Sequence, residues 1–178
     1  MSVDASASGL AAGASTAVVR YREAVERLDV EGVIATLAQD ADLHSPISDR
    51  ALLRGRAAIR DVLVPVYENL EDARVLDEVV SADGRLHVLY LQTHLRGGQP
   101  LEESVWLHLD EQGLVDELTL FIRPLSALTA LMAAIGPPLA ARHGRVRAFI
   151  AAAVTRPLAA FTRRGDPLAL RLTGTPRR

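Results

Sequence analysis

The chain contains no cysteine and no lysine; all 20 of its basic side chains are arginine. Without cysteine there is no disulfide, no thiolate nucleophile and no Cys-ligated zinc or iron–sulfur site. Without lysine there is no amine to form a Schiff base with a carbonyl. The sequence also lacks any uninterrupted apolar run of about 18 residues, the minimum that reads as a spanning helix. Residues 1–14 are Ala, Ser and Gly with one acid, without the basic start and continuous apolar stretch of a secretory signal. They read as a disordered tail, and the expected setting is cytoplasmic. Carboxylates, imidazoles and hydroxyls are left as the groups on which any catalysis must be built.

What is present suits one domain with an appendage. The 178 residues are 49% hydrophobic, enough for a core without metal or disulfide staples. The formal charge of −2 hides a division. Residues 1–138 carry 11 Arg against 21 Asp and Glu, whereas residues 139–178 carry 9 Arg against Asp166 alone.

Helical periodicity begins at Ser15, with Ala17, Tyr21, Ala24, Val25 and Leu28 on one face. Asp29 is placed to cap a second short helix over 30–38, and 43–47 reads as a short extended piece ahead of Pro46. A third helix is predicted over about 57–70, kinked by Pro65. The period then changes. Strand-length segments at 73–81, 85–95, 101–110 and 114–122 are separated by Asp83-Gly84, Gly97-Gly98 and a turn ending at Gly113. Pro124 opens a helix over 125–135, which Gly136-Pro137-Pro138 should stop. The remainder is expected to be helical over 139–155, to restart at Pro157 and to fray after Gly165. The fold class is α+β: a curved antiparallel sheet packed with N-terminal helices, plus a C-terminal helical extension. The corresponding units are a tail (1–14), a main domain (15–135) and an Arg-rich extension (136–178).

This order of elements resembles the SnoaL-like branch of the nuclear-transport-factor-2-like superfamily. The resemblance is carried by Tyr21 with Asp29, by Leu37-Ala-Gln-Asp40-Ala-Asp42-Leu-His-Ser-Pro46, by Gly55-Arg-Ala-Ala-Ile59, by Asp110-Glu-Gln-Gly113-Leu-Val, and by Arg123-Pro124, over about residues 16–135. It implies a cone in which a bent sheet curls around an apolar pocket whose mouth the first helices close. It also implies a cofactor-free isomerase, cyclase, dehydratase or hydrolase acting on a hydrophobic substrate, or a non-catalytic ligand-binding or dimerisation module. Fold alone does not choose between these. Tyr21 matches the first-helix tyrosine of ketosteroid isomerases. Ser45 stands where their carboxylate base would be and Val105 about where their oxyanion-hole acid would be, so their usual mechanism does not carry over.

Alternation sorts the strands into two faces. His87, Leu89, Leu91, Thr93, Glu103, Val105, Leu107 and Leu120 fall on the leucine-rich face expected to line the pocket. Tyr90, His94, Trp106, His108 and Phe121 fall on the opposite face, expected to form a homodimer interface. The catalytic candidates are Tyr21, Glu103 and His87; Ser45, Leu89, Leu91, Thr93, Val105, Leu107 and Leu120 are expected to contact the substrate. Glu103 either sits within the apolar face, where desolvation would raise its pKa, or at a rim where solvent or an arginine holds it ionised. His87 is either a proton carrier or a strand-end surface residue. Arg123 is expected to tie the last strand to the next helix through Asp116 or Glu117. His44, His94 and His108 with Glu102 match no recognised metal-ligand spacing, so no metal and no cofactor is expected. The basic segment 139–178 is expected to dock on the acidic body, a partner or an anionic membrane surface; without aromatic stacking residues or a reading motif it does not resemble a nucleic-acid binder.

Overall fold

The computed structural model describes residues 15–172; the expected 1–14 tail and residues 173–178 lie outside that range. Helices α1 (Thr16–Glu26), α2 (Val30–Ala35) and α3 (Arg56–Tyr67) pack on one face of a six-stranded sheet. The strands are β1 (Leu37–His44), β2 (Leu52–Arg54), β3 (Leu70–Val80), β4 (Leu86–Leu95), β5 (Gln99–Leu109) and β6 (Val115–Arg123). Their order is β2-β1-β6-β5-β4-β3, antiparallel except where β1 runs parallel to β6. Two helices follow, α4 (Leu125–Ala141) and α5 (Arg145–Leu172). The architecture is the expected α+β cone with C-terminal helices.

Asp29 caps α2 by accepting a hydrogen bond from the Gly32 amide at 2.9 Å. The helix stops at Ala35, however, and Leu37 already belongs to a strand, so the predicted helix over 30–38 is too long. Thr36 ends it by donating its hydroxyl to the Val33 carbonyl at 2.7 Å. An irregularity in the β1–β6 pairing between Leu37 and Asp42 breaks the in–out alternation of β1, which hides this strand from a period-two reading. Likewise α3 ends at Tyr67, and Leu70 opens β3.

On the concave face β4 and β5 bury Leu89, Leu91, Val105 and Leu107, each at most 2% exposed. The registry Leu89↔Val105 and Leu91↔Glu103 continues onto β6 as Val105↔Leu120 and Glu103↔Ile122. Tyr90, Trp106 and Phe121 stand on the other face and are exposed, with the Trp106 and Phe121 rings 5.6 Å apart. Arg123 pairs with Glu102 at 3.2 Å, its neighbour across the β5–β6 ladder, rather than with Asp116 or Glu117.

Gly136-Pro137-Pro138 does not end α4, which runs on to Ala141, and α5 runs unbroken through Pro157 and Gly165. Each proline removes one helical hydrogen bond, normally enough to kink or break a helix. In α4 the carbonyls facing Pro137 and Pro138 belong to Ala133 and Ala134, which are half-buried; in α5 those facing Pro157 and Pro167 belong to Ala153 and Arg163, which are exposed. Packing of α4 against α5 offsets the loss. That contact is made of small residues: Gly136 faces Thr155, and the Thr129 and Thr162 hydroxyls meet at 2.6 Å inside the interface. Arg142 is joined to Asp61 of α3 at 3.0 Å, the one ion pair between the C-terminal helices and the acidic body among the described residues.

The contact between α1 and α2 yields a test of this packing. A Cβ on Gly32 would lie 2.5 Å from the Asp29 carboxylate and 2.9 Å from the Ala24 Cβ, which is buried in α1. Gly32→Ala, a change that favours an isolated helix, is therefore expected to destabilise the protein by about 1–3 kcal/mol through overpacking. Urea unfolding of the two proteins measures it.

Candidate functional site

The sheet curls around a cavity of about 100 Å³. Its wall is almost wholly aliphatic, and helices line it alongside the strands: Val25 from α1, Leu63 and Val66 from α3, and Leu128, Leu131 and Ile135 from α4. The C-terminal helix α4 thus closes the cavity together with the N-terminal helices, a role the sequence reading gave to the first helices alone.

Five residues with polar side-chain groups line this cavity: Tyr21, Ser45, Tyr67, Thr93 and Glu103. Two are committed elsewhere. The Thr93 hydroxyl donates to the Asp72 carbonyl of the neighbouring strand β3. Ser45 Oγ accepts the Ile47 amide at 3.2 Å and so shapes the turn after β1. The remaining three are Tyr21, Tyr67 and Glu103.

Glu103 sits on β5 between Leu91 of β4 and Ile122 of β6, with Leu101 and Val105 beside it on the same face. It is half-buried, the surface it keeps being cavity wall. Burial alone pushes its carboxyl from the usual 4.5 up to about 7; no cation or hydrogen bond counteracts it. Glu102, one residue earlier, faces the other side of the sheet, where Arg123 takes its charge. Tyr21, 4% exposed, and Tyr67 both have their phenols driven well above the usual value, chiefly by burial. The Glu103 carboxylate raises both further, and Tyr67 also acts on Tyr21, so the three groups share one electrostatic environment. At neutral pH the phenols are fixed hydrogen-bond donors, whereas Glu103 gains and loses its proton.

Tyr67 is absent from the sequence-based candidates. Its signal is legible in retrospect: Ile59, Leu63 and Tyr67 recur every fourth residue on the buried face of α3. A stripe drawn instead through Val66 to Leu70 passes it by.

Of the other expected site residues, Leu91, Val105 and Leu120 line the cavity. His87, Leu89 and Leu107 do not; each is buried in solid packing beyond it. His87 is neither a surface residue nor a cavity group. At 2% exposure its Nδ1 lies 2.7 Å from Glu78 Oε1, and Glu78 Oε2 accepts from Arg22 of α1 at 2.7 Å. This chain pins α1 to the outer strands. Alternation identifies the face a residue occupies but not its depth along the strand, and β4 and β5 run from solid core to cavity on one face. Among the described residues no group of three or more His, Asp or Glu is arranged to hold a metal ion.

A curled sheet closed by helices around an apolar cavity defines a cystatin-like α+β cone. The chain belongs to the SnoaL-like domain family, whose model matches residues 18–116. It is similar to the structure of a steroid delta-isomerase from Pseudomonas aeruginosa, at 27% identity over 75% of this chain and 96% of the other, TM-score 0.65. It is also similar to a protein with a cystatin-like fold from Silicibacter pomeroyi, at 23% identity over 70% and 86% of the two chains, TM-score 0.64. A third similar structure is SalBIII, an epoxide hydrolase/cyclase-like enzyme in pyran ring formation of the polyether salinomycin, at 16% identity over 60% and 88%, TM-score 0.52. The latter two likenesses show the fold alone. Comparison with curated proteins gives no match.

The buried carboxyl makes a pH prediction with a definite sign. Between about 4.5 and about 7 the folded protein holds the Glu103 proton while the unfolded chain has released it. The folded state binds more protons there, so this group's contribution to stability is present below that window and is lost as pH rises through it. Glu103→Gln should flatten that slope and make the variant more stable than the parent above pH 7. Urea unfolding across pH checks it, and an unchanged slope would place the carboxyl outside the apolar wall.

Proposed function

We propose that the cavity binds a hydrophobic small molecule and carries out acid–base chemistry on it without a cofactor, as an isomerase, cyclase, dehydratase or hydrolase. The observation that carries this reading is the placement of Glu103, with a pKa of about 7, beside two protonated phenols in an aliphatic cavity. A carboxylate with that pKa removes a proton near neutrality and returns it without a large energetic penalty in either direction. Tyr21 and Tyr67 would donate hydrogen bonds to the substrate oxygen on which charge develops. The aliphatic wall excludes water, which strengthens both effects. The likeness to a steroid delta-isomerase supports a proton-moving reaction on a hydrophobic substrate. With Ser45 and Val105 at the positions where ketosteroid isomerases keep their acids, the proton carrier here is Glu103, elsewhere on the same wall.

The volume of the cavity favours a second reading, a ligand-binding module without turnover. About 100 Å³ falls below the roughly 300–1,000 Å³ of typical ligand sites. The two readings separate in deuterated water. Hydrophobic ketones are incubated with the protein, and exchange of carbonyl-adjacent hydrogens is followed by NMR, with binding measured in parallel by native mass spectrometry. Catalysis predicts exchange that Glu103→Gln lowers by about 10²–10⁴-fold while binding persists. Tyr21→Phe and Tyr67→Phe should each lower it less. Binding without exchange in the parent protein rules out proton abstraction next to a carbonyl and favours the module.

The proposal includes a homodimer through the convex sheet face. Tyr90, Trp106 and Phe121 form an exposed aromatic patch there, bordered by the Glu102–Arg123 pair and by His94 held to Asp72 at 2.9 Å. A patch carrying both charge signs can meet its own copy across a two-fold axis. Trp106→Ser, at a partly exposed position, should leave the fold intact and shift the mass measured by light scattering from dimer to monomer.

A further inference from the structure

Helix α5 faces the wrong way for a core helix. Its small residues, Ala151, Ala152, Thr155, Ala159 and Thr162, lie against α4. Over 146–161 the large apolar residues are exposed: Val146 73%, Phe149 75%, Val154 61% and Phe161 76%. At 100° per residue, Val146, Phe149, Ile150, Ala153, Val154 and Phe161 fall within an arc of about 140° and form a stripe about 22 Å long. Arginines border it on both sides. Arg147 lies along one edge, Arg145, Arg156 and Arg163 along the other, and Arg164 ends it; all five are exposed, and none makes an ion pair among the described residues. From Arg145 to Gly165 the helix has no acidic residue.

We propose that this face of α5 docks on an anionic lipid bilayer, with the stripe entering the headgroup boundary and the flanking arginines meeting lipid phosphates. An apolar arc edged by guanidinium groups on both sides is the pattern of a helix lying in the plane of a membrane surface. The long arginine side chains reach up to phosphate while their stems cover the stripe's margins. No helix among the described residues is long and apolar enough to cross a membrane, so α5 lies on the bilayer rather than in it. A second copy of the chain is the poorer occupant of the same face. A two-fold pairing of α5 with itself would bring arginines against arginines with no acid in 145–165 to separate them. The proposal is independent of the chemistry assigned to the cavity.

The test uses the full chain in flotation with vesicles of phosphatidylcholine alone and of phosphatidylcholine mixed with phosphatidylglycerol. Binding is expected to the mixed vesicles, weak to the neutral ones and reduced by high salt, because exposed charge pairs are screened. Phe149→Ser with Phe161→Ser changes two exposed rings, so circular dichroism and thermal midpoint should stay as in the parent, while vesicle binding falls at least about tenfold. Replacing Arg145, Arg147, Arg156 and Arg163 by Gln should remove the preference for anionic lipid. Absence of binding by the parent, equal binding to both vesicle types, or unchanged binding by the double Phe variant would overturn the proposal. So would light scattering in which the double Phe variant alone converts an oligomer to monomer, since the stripe would then belong to another protein surface.

Discussion

Everything distinctive about this protein depends on one aliphatic wall. The concave face of β4, β5 and β6 is built from leucine, valine and isoleucine, and the burial of that face drives the sheet to curl over α1, α2 and α3. The same wall sets the chemistry of the one carboxyl embedded in it. Glu103 has no cation beside it, so the desolvation that assembles the fold is also what holds its proton near neutrality. A salt bridge at this point would stabilise the charge and bring the carboxyl back toward its ordinary value. The protein instead sends the adjacent Glu102 to the opposite face, where Arg123 neutralises it. Two successive glutamates on one strand therefore do different work, and the parity of the strand alone decides which does which.

The legibility of the sequence follows from how each element is stabilised. Where a single buried face dictates a regular period, as in α1, β4, β5 and β6, the pattern states the element and its orientation, and it put Glu103 on the inner face. Where local geometry intervenes, it does not. The irregularity in β1 removes the alternation that would announce a strand, so its start reads as the end of a helix and only 43–47 reads as extended. His87 shows a different limit. Its parity is right, yet it lies two registry steps past the cavity, in packing that only the placement of Arg22 and Glu78 reveals. Tyr67 escapes the sequence reading because the apolar positions of α3 offer two neighbouring stripes, and only contact with the cavity distinguishes them.

The C-terminal helices were the least legible because local signals and tertiary packing disagree there. Four prolines and two glycines say stop, yet both helices continue through them. Glycine has a positive role in the same place. Gly136 lets α5 approach α4 closely enough for Thr129 and Thr162 to share a hydrogen bond inside the contact. An interface of alanine, glycine and threonine is thin, and Val146, Phe149, Ile150, Val154 and Phe161 of α5 stand exposed outside it.

That economy explains the geometry of the whole extension. If α5 had evolved to complete the core, Phe149 and Phe161 would face α4 and its alanines would face water. The reverse arrangement leaves α4 with two apolar duties, toward the cavity through Leu131 and Ile135 and toward α5 through its small residues. The arginines do not serve the acidic body either, since Arg142–Asp61 is its one described link to the C-terminal helices. Charge separation along the chain is thus a separation of surfaces. The acidic part encloses the cavity and the basic part points away from it, with α4 packed against both.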